Sequence, residues 1–328
     1  MSAVLERARA LAPDIAAARG AMDEHRRLPD HLAVMFREAG FYRLCIPRAY
    51  GGLEAPPRLV VETLEALAEA DASAAWCAMI SATTGSLGAY LDADVAGGIF
   101  SDPGFVVAGV YAPMGKAEVE GDFYRVSGRW KWNSGGQNAT WLCGGAMIFE
   151  NGAPRMLNEN MPEHRMMLFP ASEAQFIDTW HTGGLRGSGS GDMAVTDLLV
   201  PRHRTVSLIT DRPRVAAPLY AFPVFGLLAI GIAAVASGNA RAAVREFAAE
   251  ASGKKMPGGR TLAERGAIQV EFARAMASLE AARAFLLAEI DAAWSEAQTA
   301  PAIGLEQRAR YELTGRALLG VPVSAAEL

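Results

Sequence analysis

Gly128-Arg-Trp-Lys-Trp-Asn-Ser-Gly-Gly-Gln-Asn-Ala-Thr-Trp141 is the stretch on which the reading of this chain turns. It follows a turn-forming Glu120-Gly121-Asp122 and an alternating run from Tyr124 to Gly128. Together these predict a β-hairpin whose second strand carries two indoles, Trp130 and Trp132, and then breaks at Gly135-Gly136. Trp132 and Ser134 are two apart, so an extended strand would point both to one face. Such a face offers a flat apolar wall and a hydroxyl. A planar redox heterocycle needs both, a surface to lie against and a hydrogen bond at a ring nitrogen or carbonyl. The same pair on a half-buried strand is also ordinary packing, and composition alone does not separate the two readings.

Outward from this hairpin the texture changes twice. On the N-terminal side the chain reads helical. Val4 to Arg19 aligns Leu5, Ala8, Leu11 and Ile15, and Asp30 is placed to cap Leu32 to Ala39, which stops at Gly40. A breaker-rich link from Ile46 to Pro57 leads into a helix over Arg58 to Ala70, and Asp71 opens a small-residue helix through Thr84. From Phe105, short alternating runs at 106–111, 124–132, 141–149, 166–169, 174–177 and 192–200 predict a compact antiparallel β domain. After Pro213, Val224 to Ala251 and Leu262 to Trp294 carry the 3.6-residue period of a helical bundle. The expected domains are 1–104, all-α; 105–212, antiparallel β; and 213–328, helical bundle.

The chain has 328 residues, 51% hydrophobic and 20% charged, enough to bury a core in each of several domains. A net charge of −5 without a basic cluster speaks against nucleic acid as a partner. Cys45, Cys77 and Cys143 are scattered with no CxxC, which fits a reduced, cytoplasmic setting. The N-terminus shows no positively charged leader before an apolar block. The longest apolar run, Phe222 to Ala236, is short for a membrane span and reads as a buried bundle helix. The five histidines lack metal-ligand spacing, so no metal is expected.

Four segments, in order, resemble the acyl-CoA dehydrogenase superfamily. Gly40 to Gly52 is similar to its N-terminal element ending Pro-x-x-Tyr-Gly-Gly. Trp132, Ser134, Ala139 and Trp141 fit, without a gap, its flavin-contacting strand, where Trp-x-Thr/Ser precedes a glycine-rich bend and Ala-x-Trp. Asp178 to Ser190 followed by Asp197-Leu-Leu-Val-Pro201 is the third, and Gly231 to Ala248 the fourth. The resemblance implies an α+β multidomain fold with an N-terminal all-α domain, a central antiparallel β domain and a shortened C-terminal helical bundle. It implies FAD or FMN between the β domain and the bundle. Trp132 would cover one side of the ring, and Ser134 would hydrogen-bond near N5 and O4. Gly135 and Gly136 would let backbone N–H groups approach. In the loop Leu185-Arg-Gly-Ser-Gly-Ser190, Arg186, Ser188 and Ser190 have either a structural or a substrate-binding role. His181 is a candidate base, or a surface or capping residue.

Two departures refine the resemblance. Val110 to Ala117 lacks the Thr-Glu-Pro-x-Ala-Gly-Ser-Asp loop of the dehydrogenases. With Asp178-Thr-Trp-His and the Leu185 to Ser190 loop, this is closer to the two-component flavin monooxygenases, which hydroxylate aromatic or polyketide substrates using reduced flavin from a partner reductase. The alternatives are an FAD-dependent acyl-CoA dehydrogenase and a catalytically inactive paralogue kept as a binding or assembly subunit. The bundle also reads as shortened, with Glu306 and Glu312 in the affected stretch and no motif placing either as a base. A shortened bundle would expose Leu286, Leu287 and Ile290, so a homo-oligomer, dimer or tetramer, is expected to cover them.

Overall fold

The computed structural model describes residues 2–300 and 302–310. The junction at Tyr311 and the candidate Glu312 lie outside the described residues. Seven helices come first: α1 (Ala3–Ala10), α2 (Ala12–Ala17), α3 (Arg19–His25), α4 (Asp30–Ala39), α5 (Pro57–Ala70), α6 (Ala72–Thr84) and α7 (Ala93–Phe100). The single expected helix from Val4 to Arg19 is three short ones, with Pro13 at the start of α2. The buried stripe survives as Val4, Leu5, Ala8 and Ile15. Asp30 is not the cap of α4 but lies inside its first turn, and Gly40 ends the helix in the left-handed region at φ 83°.

The breaker-rich link is held by one side chain. Arg43 donates to the carbonyls of Tyr50 (2.6 Å), Gly51 (3.0 Å), Phe100 (2.7 Å) and Asp102 (3.1 Å), so its rigid fork ties the middle of the segment to the C-terminal end of α7. Asp71 caps α6 as expected, accepting from the Ala74 N–H at 2.9 Å. Asp71→Ala is expected to cost about 1 kcal/mol of stability and Asp71→Asn much less, read from urea midpoints. Equal losses in the two variants would remove the cap from the account.

The β region comprises β1 (Val107–Glu120), β2 (Phe123–Trp130), β3 (Trp141–Glu150), β4 (Ala153–Pro154), β5 (Met156–Asn158), β6 (Met161–Pro162), β7 (His164–Pro170), β8 (Gln175–Ile177), β9 (Asp192–Pro201) and β10 (Thr205–Val206). One sheet runs β10-β7-β3-β1-β2-β9-β8, with β4 on β3, and β5 pairs with β6 separately. The expected sheet was antiparallel throughout, but β1 and β3 are parallel, with Val107 opposite Trp141. The cause is the connection. β2 returns beside the second half of β1, from Glu120 back to Gly115, and residues 131–140 then carry the chain over to the other edge of β1, where β3 sets out in the same direction beside Val107. That crossing segment is the Trp132–Gly136 stretch, so the topology itself places it at one end of the sheet.

Trp130, the first of the two indoles, is fully buried and donates from Nε1 to the Gly145 carbonyl at 2.7 Å. Three strands make room for it. A Cβ on Gly115, Gly128 or Gly144 would come within 2.4, 2.7 and 2.7 Å of the indole carbons.

Two long helices follow, α8 (Val224–Gly253) and α9 (Gly266–Ala297), and residues 305–310 are helical. α8 is long and apolar enough to cross a membrane, yet 56% of its most apolar window is buried inside the protein. Its glycines explain how closely it packs. A Cβ on Gly231 would lie 2.8 Å from Met79 of α6, and one on Gly238 would lie 2.4 Å from the Glu65 carbonyl of α5. Leu286, Leu287 and Ile290 were expected to be exposed but are 0%, 5% and 0% exposed. They belong to the core shared with α5, α6 and α8, so the argument that a partner copy must cover them falls away.

Candidate functional site

Trp132 and Ser134 do not share the face of an extended strand. β2 stops at Trp130, and Trp132 sits in the left-handed region at φ 63°. A bulky residue holds that conformation only where its surroundings impose it, at a cost of about 1–2 kcal/mol. The imposing contacts are the Asn133 N–H on the Gly191 carbonyl (2.8 Å), the Gly135 N–H on the Ser188 carbonyl (2.8 Å) and the Gly136 N–H on the Asn133 carbonyl (3.1 Å). The turn throws the Trp132 indole outward, 63% exposed, while Ser134 is buried at 4%. Backbone strain of this kind concentrates at functional sites. The Gly135 and Gly136 N–H groups, expected to be free for a ligand, are spent on these loop bonds instead.

The loop from Leu185 to Gly191 packs beneath it. The structure brings Ser134, Ser188 and Ser190 together: Ser134 Oγ lies 2.6 Å from Ser190 Oγ, which lies 2.6 Å from Ser188 Oγ. Helix α6 closes the cluster. Trp76 Nε1 donates to Ser134 Oγ at 3.0 Å, and Cys77 Sγ reaches the Ser188 carbonyl at 3.6 Å. Burial pushes the Cys77 thiol up to about 12, so it is an inert wall and not a nucleophile. Trp76 was not singled out from the sequence. The available signal was one indole in an otherwise small-residue helix.

Among the described residues Arg186 makes no ion pair. Nε and Nη2 donate to the Asp23 carbonyl in the last turn of α3, at 3.1 and 2.8 Å. This is the usual gain of a cation at a helix C-terminus. His181 stays apart from the serines. Its side chain is 65% exposed, with Nδ1 3.2 Å from Arg26 Nη1. Arg26 binds both carboxylate oxygens of Asp178 at 2.7 Å, and this hydrogen-bonded pairing lowers the Asp178 pKa.

A second polar pair escaped the sequence reading. Thr84 Oγ1 and Tyr111 OH are adjacent and buried, yet neither makes a hydrogen bond of normal geometry. Burial raises the Tyr111 phenol far above its ordinary range, so it is neutral. Its ring meets Phe225 edge-on at 5.7 Å. Unpaired buried hydroxyls are rare and mark sites where another molecule could complete the bonding.

Three consecutive side chains keep unspent recognition capacity: the free indole face of Trp132, the buried Asn133 amide with neither Nδ2 nor Oδ1 bonded, and one lone pair on Ser134. A flat face beside donors and acceptors suits a tricyclic ring with a polar edge, and the residues present fit it.

Comparison with known proteins follows the same line. Residues 230–327 match the family described as acyl-CoA dehydrogenase, C-terminal domain. The chain is 32% identical over 276 residues to indole-3-acetate monooxygenase of Pseudomonas putida, covering 84% of this chain and 69% of that protein. It is 30% identical over 311 residues to the FADH(2)-dependent resorcinol hydroxylase, oxygenase component, of a Rhizobium species, covering 90% and 73%. Among solved structures, XiaF from a Streptomyces species, in complex with FADH2 and glycerol, superposes with a TM-score of 0.88 at 24% identity, covering 97% of this chain and 81% of that one.

Proposed function

Because the chain belongs to the flavin-dependent monooxygenases of the acyl-CoA dehydrogenase superfamily, we propose that it is the oxygenase component of a two-component system that hydroxylates a small aromatic compound. Reduced FAD or FMN, delivered by a separate reductase, supplies the activation of O₂ when bound. The observation that carries this reading is the outward, left-handed Trp132 beside unspent groups on Asn133 and Ser134. In it, Trp132 lies along the ring, and Ser134, fixed by Trp76 and Ser190, contacts the ring's polar edge. Thr84 and Tyr111 are assigned to a polar substituent of the aromatic substrate, since a neutral phenol can donate or accept there. His181, exposed and clamped beside Arg26, is assigned to holding the 178–182 loop and not to proton transfer.

The test is anaerobic titration of the purified protein with reduced flavin, followed by turnover with O₂, a nicotinamide-dependent flavin reductase and a panel of phenols and indoles. Reduced-flavin binding with hydroxylated product supports the proposal. Tightly held yellow FAD that an acyl-CoA bleaches would replace it with dehydrogenation. Trp132→Ala should weaken reduced-flavin binding by about tenfold. Because the residue is largely exposed, the melting temperature should stay unchanged. An unchanged affinity would remove Trp132 from the site.

A further inference from the structure

The direction of every hydrogen bond in the serine cluster can be deduced. Ser188 Oγ lies 2.7 Å from the Leu185 carbonyl, which has no proton to give, so Ser188 donates. A serine hydroxyl has one proton and two lone pairs. With the Ser188 proton committed, Ser190 must donate to Ser188 across their 2.6 Å contact. Ser134 must then donate to Ser190 across the next. Trp76 is a donor only and takes one lone pair of Ser134. Ser134 is left with one lone pair and no proton for any ligand. The three serines are 4%, 1% and 3% exposed in chain order, so water does not re-supply the bonds.

Reversing the chain would require Ser188 to abandon Leu185. That carbonyl would keep the bonds from Trp180 Nε1 and from the Ser188 N–H, both at 3.0 Å, but the Ser188 hydroxyl bond would go, so the reversed state has one hydrogen bond fewer. The relay is polarised inward, and its far end decides what Ser134 can offer at the near end.

Resting on the flavin reading above, we propose that Ser188 and Ser190 are positioning residues that make the site select reduced over oxidised flavin. N5 of a reduced flavin carries an N–H and donates, whereas N5 of an oxidised flavin has only a lone pair and accepts. An acceptor-only Ser134 is satisfied by the first and opposed, lone pair to lone pair, by the second. The oxygenase thereby holds the form that reacts with O₂ and releases the spent form. Trp76 holds Ser134 in place without setting its polarity.

The experiment is anaerobic fluorescence titration of the full chain with dithionite-reduced FMN and FAD and, separately, with the oxidised forms. The readout is the ratio of oxidised to reduced dissociation constants. Ser190→Ala frees the Ser134 proton to turn outward, and the ratio should fall about five- to tenfold, mainly through tighter binding of the oxidised form. Ser188→Ala removes the relay's anchor and should move the ratio the same way by a smaller factor, which keeps the test alive if Ser190→Ala fails to fold. Trp76→Phe should weaken both redox forms alike and leave the ratio unchanged. A ratio that stays constant or rises in the serine variants, with reduced flavin still bound, overturns the relay while leaving the flavin site standing. Native protein that binds neither form overturns the flavin site and the relay together.

Discussion

Trp130→Ala is expected to destabilise the protein by about 3–5 kcal/mol, the range for truncating a large aromatic in a packed core. The side chain is completely buried, its Nε1 is bonded to the Gly145 carbonyl, and its ring lies 6.2 Å from that of Phe169. The surroundings cannot collapse onto the void, because the neighbours that shaped it are glycines on β1, β2 and β3 with no side chains to move in. The complementary variant, Gly144→Ala, forces a Cβ to 2.7 Å from the indole and should cost about 1–3 kcal/mol. Combining Gly144→Ala with Trp130→Phe should recover part of the Gly144→Ala loss, since the smaller ring vacates the crowded volume. Urea denaturation of the three variants checks this, and a loss below 1 kcal/mol for Trp130→Ala would contradict the cradle. The effect should also reach the candidate site. β2 runs through Trp130 directly into the left-handed Trp132, so Trp130→Ala should weaken reduced-flavin binding although residue 130 has no exposed atoms.

The two indoles show how far the sequence could be read. Alternation and a Glu-Gly-Asp turn were enough to place the hairpin, and the resemblance marked Trp132 and Ser134 as site residues. Their geometry was not legible, because period-2 alternation assumes an extended backbone and the chain leaves that conformation one residue after Trp130. The long helices α8 and α9 were legible within a few residues because their apolar period runs for about thirty positions. The parallel β1–β3 pair was not, because strand direction depends on which edge the crossing segment reaches, and no local pattern encodes that. Ser188 and Ser190 were visible as members of a glycine-rich loop. Their union with Ser134 and Trp76 is a contact across 56 and 58 residues of sequence, which only the folded chain reveals. The burial of Leu286, Leu287 and Ile290 was misjudged for a related reason. Their cover comes from helices earlier in the chain and needs no second copy.

Glu65→Ala is expected to cost about 3 kcal/mol, at the lower end of the range for breaking a buried ion pair by removing one partner. Glu65 on α5 is 3% exposed, and its carboxylate accepts from Arg283 of α9 through both Nε (2.9 and 3.0 Å) and Nη2 (2.7 Å), and from the Ser237 hydroxyl of α8. Three helices thus meet on one carboxylate, and one turn further along Glu69 binds Arg241 and Arg245 of α8. Removing Glu65 leaves the Ser237 hydroxyl buried without its acceptor and Arg283 without its counter-ion. The Arg283 side chain is 25% exposed and can turn partly to water, which is why the lower end of the range applies. Glu65→Gln keeps an acceptor for Ser237 and should lose less than Glu65→Ala. Replacing both partners, Glu65→Leu with Arg283→Met, should be milder than Glu65→Ala, since an apolar pair removes the desolvation cost together with the attraction. A double-mutant cycle in urea would measure the coupling. Additive losses from Glu65→Ala and Arg283→Ala would mean that packing of α5, α8 and α9 around Gly238, and not this carboxylate, holds the bundle against the N-terminal helices.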